Sequence, residues 1–473
     1  MSSIKTGIAV VKMYLPLGLK MAGYIKRTRG AEGIHDALQI KAACFISEDT
    51  KALIISCDLL GLSQEFTRKA SDALEKRLGI PAANIIICCT HTHSAPGTMR
   101  LKASEHEQNR WLINLGREME ECAVEAFNQA EGCDLFVYRS LSDISSNRVL
   151  KQNWGGRNTE NWEIRNWDEL DPLMFQAGQQ SERGDIHTGS FTDREVVILE
   201  IRNKAKKACG FLVNFACHAV TLEYENYLYS ADFPYYMEQK IQQIFPGTPV
   251  FFLNGCCGDI NPVNRGGYGV AKILGERLAG IVIDSFSEIG IKLSGMMRVS
   301  AQRFEVPLDA VADESELSRR AAIYKRGLTQ AKRTGQYNDA LVYGAYLDWA
   351  NAMQRRLRDG FMKYSTDADL RVIRIGSLSI VALPFEIFHE IGLAAKARLG
   401  GITMIIAYAN GYNGYLISEN MYPYAKYERF ESYKFTQMPG PIAKEAGKIL
   451  LDRLKYMEKQ KIESGKFLRG TSK

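Results

Sequence analysis

The sequence predicts an α/β protein with a mixed sheet as its core, helices on its flanks and an inserted helical hairpin. Two observations carry this. Short apolar runs rich in β-branched residues alternate with stretches of helical spacing. These runs recur from the first hundred residues to residue 406, so the pattern spans the chain.

In order, "KALIISCDLLGL" is a buried strand followed by a turn, and "SQEFTRKASDALEKRLG" is a helix opened by Ser63 and closed by Gly79. "NIIICC" is the next strand, and "NRWLINLGREMEECAVEAFNQA" a helix. Residues 150–190 break the pattern. They are polar, carry three tryptophans among Asn, Arg and Gly, and read as a long excursion between strands, either a surface loop or a substrate loop. The alternation resumes with "EVVILEIRN" and "ACGFLVNFACHAVTL", a helix near "FPYYMEQKIQQIF", and the strand "TPVFFLNG". Residues 313–358 are the helical insertion, with a break near Gly327 or Gly335. "LRVIRIGSLSIVALP" and "MIIAYANGY" return to strand, and "IAKEAGKILLDRLKYMEKQ" closes the chain as a helix. No repeat is visible in the sequence, and residues 1–473 are read as a single domain.

Bulk properties narrow the function. Hydrophobic residues make up 46% and charged residues 24%, an ordinary globular balance, so a large core is available. The net charge of +6 is spread along the chain, with a basic excess only in the tail 455–473, so neither nucleic acid nor a membrane surface is expected as a partner. No run approaches the roughly 18 apolar residues of a membrane span. The N-terminal apolar stretch is broken by Lys12 and Pro16, unlike a signal peptide. The ten cysteines form no framework, as expected of a reduced, cytoplasmic protein. A small-molecule substrate is the expected partner, with room for a homo-oligomer.

Chemistry concentrates where strands end, the usual place in α/β folds. His91 and His93 follow "NIIICC"; if the chain stays extended, period two puts both rings on one face. His218 ends "FLVNFAC", and Glu386 directly follows "SIVALPF", where an unpaired carboxylate is unusual. Tyr408, Tyr412 and Tyr415 lie in "AYANGYNGYLIS". Asp259 and Asn261 leave the turn "FFLNGCCGDINPVN". Each has a bland reading, as a loop cap or an aromatic packing residue. Their coincidence at strand ends points instead to a metal or acid–base site.

These motifs resemble the neutral/alkaline non-lysosomal ceramidase family over about residues 5–435. "GYIKRTRGAEGIHDALQIKAACF" is similar to the family's N-terminal Gly-Tyr segment, "THTHSAPG" to its Thr-His-Thr-His-Ser-Gly-Pro-Gly, and "FACHAVTLEYENYLYSADFPYYMEQ" to its Phe-Ala-x-His-Pro segment with Ser-Asp further on. "LPFE" resembles its Pro-Gly-Glu, and "NGYNGYLISENMYPYAKYE" its Asn-x-Tyr-x-x-Tyr segment. The resemblance implies one zinc ion held by His91, His218, Glu386 and Tyr415, with His93 beside it. Among the residues singled out, His93, Asp259 and Asn261 are expected in catalysis, and Tyr24, Arg27, Arg148 and Asp232 at the substrate. Three departures redirect the expected substrate. Asn261 stands where the family carries a serine assigned a catalytic role; the family's C-terminal β-sandwich has no counterpart; and no export signal is seen. The expectation is therefore a zinc-dependent hydrolase of an amide or related bond in a small polar molecule, not ceramide. Alternatives are a metal-dependent isomerase or glycoside-cleaving enzyme acting on a sugar, and a non-catalytic ligand-binding relative.

Overall fold

A computed structural model describes residues 4–99, 106–149, 192–311 and 313–467. The excursion expected at 150–190 lies outside the described residues. Its chain builds one topological unit three times, although the sequence shows no repeat. The first unit comprises β1 (Lys5–Lys12), β2 (Gln39–Ile46), β3 (Lys51–Cys57), α1 (Gln64–Leu78), β4 (Ile85–Cys89) and α2 (His106–Asn128). The second comprises β5 (Glu131–Leu141), β6 (Glu195–Asn203), β7 (Ala208–Phe215), α3 (Phe233–Ile244), β8 (Val250–Asn254) and α4 (Tyr268–Ser285). The third comprises β9 (Met297–Pro307), the inserted hairpin α5 (Glu314–Arg333) and α6 (Tyr337–Arg358), β10 (Ser365–Ile375), β11 (Leu378–Ala382), α7 (His389–Leu399), β12 (Ile402–Ile406) and α8 (Ala446–Phe467).

In each unit three strands pair antiparallel in succession, and the fourth joins the third in parallel. Parallel pairing requires a crossover, and α1, α3 and α7 provide it. Units one and two share a nine-stranded sheet in the order β8-β7-β6-β5-β1-β2-β3-β4, with Ile291–Lys292 added at β5. Unit three forms a separate four-stranded sheet, β9-β10-β11-β12. Apolar faces of both sheets meet in one buried cluster that includes Ile54, Ile86, Leu212, Leu253, Ile380 and Met404. Strands buried on both faces explain why β3, β4, β8 and β12 read as continuous apolar runs.

Local signals behave as their chemistry requires. The Ser63 hydroxyl accepts from the Phe66 N–H at the start of α1, and Gly79 closes the helix at φ 62°. The inserted hairpin turns at Gly335 (φ 72°), while Gly327 lies within α5. The tail expected from 455 begins inside α8, which continues to Phe467. Among the described residues, no helix is long and apolar enough to cross a membrane.

The repeat positions the site. The loops leaving the third strands carry Leu60, His218 and Glu386. The loops leaving the fourth strands carry His91 and His93, Asp259 and Asn261, and the three tyrosines. Asparagine side chains hold these ends together. Asn214 donates to the carbonyls of Leu253 (2.8 Å) and Ile405 (2.9 Å), Asn254 donates to that of Thr90 (3.0 Å), and the Asn410 side-chain oxygen accepts from the Ile87 N–H (2.9 Å). Each amide stands in for backbone pairing that the sheets lack where they meet.

Candidate metal centre

His91 does not continue the extended chain of β4. Its φ is 65°, a left-handed conformation seldom adopted by non-glycine residues and often found at functional sites. The expected period-two alignment of His91 with His93 is therefore replaced by a sharp local turn. The two rings still meet, edge to face, with centroids 5.1 Å apart and Nε2 atoms 3.4 Å apart. The His91 ring stacks on Tyr408 at 3.9 Å, another residue with positive φ just beyond a fourth strand.

Two backbone carbonyls decide the tautomers. The Nδ1 of His91 lies 2.6 Å from the Leu60 carbonyl, and that of His218 lies 3.0 Å from the Ile260 carbonyl. A carbonyl only accepts, so each Nδ1 carries the proton and each Nε2 presents a lone pair. Both lone pairs face the same carboxylate oxygen: Glu386 Oε2 lies 3.1 Å from His218 Nε2 and 3.5 Å from His91 Nε2. His91, His218 and Glu386 are all buried. One nitrogen each from His91, His93 and His218 lies within 4.8 Å of the others, a grouping able to hold a metal ion.

Burial pushes His218 below the usual histidine range, although the neighbouring Glu386 carboxylate pulls the other way. Burial, then the neighbouring His91 and His218, hold His93 far lower. For Glu386, burial favours the neutral acid, but the histidines outweigh it and keep the carboxyl well below its ordinary value. Neutral imidazoles and an ionised carboxylate are the donor forms that a zinc-type ion requires.

Tyrosines complete the wall. The Tyr412 hydroxyl donates to Glu386 Oε1. The Tyr408 hydroxyl lies 3.5 Å from Oε2 and 3.1 Å from Cys257 Sγ. Tyr415 is placed by its backbone: Glu386–Ile387 pairs in parallel with Tyr415–Leu416, so Glu386 opens a short strand and the helix begins only at His389. Gly258 allows this close approach, because a Cβ there would lie 2.7 Å from the Glu386 carbonyl oxygen.

The other expected site residues divide sharply. Arg27 donates to the backbone carbonyls of Ala22 (3.0 Å), Tyr224 (3.3 Å), Glu223 (3.3 Å) and His93. Asp232 accepts from Thr221 N and Oγ1, Leu222 N and Phe233 N, capping α3. Asp259 accepts from His389 N (2.9 Å), His389 Nδ1 (2.6 Å) and Asn147 Nδ2 (2.8 Å). The charged groups of all three are thus held by hydrogen bonds within the protein itself. Tyr24 packs edge-on to His93 at 4.9 Å, donates to the Leu222 carbonyl and accepts from Arg265. Asn261 is half-buried, with its backbone paired to Ser146. Arg148 stands beside Tyr415, its guanidinium carbon 5.5 Å from the ring centre.

No family model matches the chain. Solved structures that share its fold include two ceramidases. The neutral ceramidase from Pseudomonas aeruginosa aligns with a TM-score of 0.70 at 14% identity, covering 97% of this chain and 75% of its own. A ceramidase complexed with C2 aligns with a TM-score of 0.68 at 14% identity, covering 96% of this chain and 74% of its own. The chain thus has a ceramidase-like fold.

Proposed function

We propose that the protein is a zinc-dependent hydrolase of an amide or related bond in a small polar molecule. One observation carries the reading. Two imidazole Nε2 atoms and a carboxylate oxygen converge in a buried place, and in the neutral tautomers that the Leu60 and Ile260 carbonyls select, lone pairs face one another there. Such an arrangement is repulsive until a cation occupies it. His91, His218 and Glu386 would hold the ion. Tyr415, the fourth ligand implied by the family resemblance, lies beside Glu386 in the register of the short strand pair. Nitrogen and oxygen donors in this ratio suit zinc. When bound, zinc supplies Lewis acidity towards a carbonyl oxygen and makes water a better nucleophile near neutral pH.

The chain's own groups take the remaining roles. We assign proton transfer to His93, which stands neutral beside the cluster with its Nδ1 buried and without a hydrogen-bond partner among the described residues. Asn261 and Arg148 offer N–H groups to a substrate oxygen. Asp259, fully engaged by His389 and Asn147, holds the loop of Gly258 against Glu386. Arg27 and Asp232 brace the loops around His93 and His218. The ceramidase-like fold supports hydrolysis, and the asparagine at 261 removes any route through a serine nucleophile at that position.

Elemental analysis of protein purified without chelator tests this, together with a panel of small amides and sugars. About one equivalent of zinc per chain and turnover of an amide are expected. Protein that neither retains nor takes up a metal overturns the reading in favour of a ligand-binding role. Metal with sugar turnover alone favours the isomerase or glycosidase.

A further inference from the structure

Arg148, partly exposed, pairs with the buried Glu428 on the wall formed by Tyr415 and Tyr427. Arg148 Nη2 lies 2.9 Å from Glu428 Oε1 and donates to the Gly258 carbonyl at 2.6 Å. Its guanidinium carbon sits 5.5 Å from the Tyr415 ring centre and 5.9 Å from that of Tyr427. The Glu428 side chain is wholly enclosed, at 0% exposure. Among the described residues, neither of its oxygens meets a hydrogen-bond donor in good geometry, and Arg148 Nε is likewise buried without a partner. Arg148 reaches the candidate metal centre through Gly258, whose carbonyl it holds while the Gly258 N–H donates to the carbonyl of Ile387, next to Glu386, at 2.8 Å.

A guanidinium beside a carbonyl-processing site ordinarily recognises carboxylate or phosphate. Here that charge is already matched. The groups facing Arg148 are Glu428, Glu386, Tyr415 and Tyr427, and Asp259 stands near Glu428. A substrate carboxylate would add another anion to this desolvated wall. A neutral carbonyl or hydroxyl oxygen needs only the spare N–H, and meets no uncompensated charge. We infer that Glu428 determines specificity: it neutralises Arg148, so that the site takes a neutral oxygen acceptor and rejects carboxylates. This rests on the reading of His91, His218 and Glu386 as a metal centre acting on a carbonyl group.

The test uses the full-length chain, both zinc-loaded and zinc-depleted, with acetate and acetamide as probes followed by calorimetry. In Glu428→Gln, acetate affinity should rise by about tenfold or more in both forms, while acetamide affinity changes by less than about threefold. Glu428→Asp, which keeps the charge, should retain the wild-type preference. Equal acetate affinity in folded wild type and Glu428→Gln overturns the inference. If Glu428→Gln does not fold, the zinc-depleted wild type decides: acetamide should bind more tightly than acetate, and the reverse order overturns the inference. A charge-dependent acetate response in a protein with no metal affinity would sink the metal reading alone. Metal binding without that response would sink this inference alone.

Discussion

Two buried polar clusters adjoin His93, and they differ in one respect. Around Arg27 and Asp232, the four Arg27 contacts end on backbone carbonyls, and the four Asp232 contacts come from two backbone N–H groups of its own loop, the Thr221 hydroxyl and the first N–H of α3. Around His91, His218 and Glu386, the two Nε2 atoms and the carboxylate oxygen face one another, lone pair to lone pair in the neutral tautomers that the backbone carbonyls select. Both clusters are buried, so burial alone cannot separate scaffold from candidate site. Saturation can. A cluster that satisfies itself stabilises the fold, whereas one that is repulsive as it stands awaits a partner.

The contrast is broken most directly at its two centres. His218→Ala should lower zinc affinity by about 100-fold or more, while thermal stability of the zinc-depleted protein changes little, because acceptor repulsion is relieved. Glu386→Gln should behave alike. Equal zinc content in His218→Ala and wild type would end the assignment. His93→Ala should cost less zinc than His218→Ala; an equal loss would make His93 a ligand. Asp232→Ala should do the opposite. It strands several buried N–H groups and removes the cap of α3, at a cost of about 2–4 kcal/mol in denaturant unfolding, while the folded fraction keeps its zinc. A large loss of zinc without loss of stability would erase the distinction between the clusters.

Much of the candidate site was legible because its residues follow apolar strands. His91, His93, His218 and Glu386 each stand just past a run whose composition already reads as buried. What was not legible is backbone. The carbonyls of Leu60 and Ile260 choose the histidine tautomers, yet any residue type would supply them. The positive φ of His91 leaves no trace in its neighbours. The three tyrosines after β12 look alike in sequence, but only Tyr412 and Tyr408 reach Glu386 through their hydroxyls. Glu428 closes the tyrosine-rich segment quoted above, but nothing in that segment shows that the short helix Lys426–Phe430 turns it onto Arg148. The threefold topology was invisible because pairing pattern, not residue identity, is what repeats. Its β2-type strands span 8, 9 and 11 residues, and insertions of different character divide the first two strands of each unit.

Asp259 sharpens the comparison, because it is saturated yet adjoins the site. Burial would favour its neutral form, but the His389 pairing prevails and holds it below the usual aspartate range. For His389, burial works downward and Asp259 prevails, raising it above the usual histidine range. The signs follow from linkage. The Asp259 contribution is present above the unfolded value of about 3.9 and is lost as pH falls through the lower folded value. The His389 contribution is complete below about 6.5 and is lost as pH rises through the raised folded value. Asp259→Asn should therefore cost about 1–3 kcal/mol near pH 6 and flatten the decline in stability above pH ~6.5. Turnover per folded molecule should stay within about threefold of wild type, since the loss of a proton carrier would cost about 100-fold or more. Unfolding free energy and rate measured on the same samples decide between the roles. A stable variant whose rate collapses, with one limb of its pH profile gone, would move Asp259 from the scaffold to the chemistry.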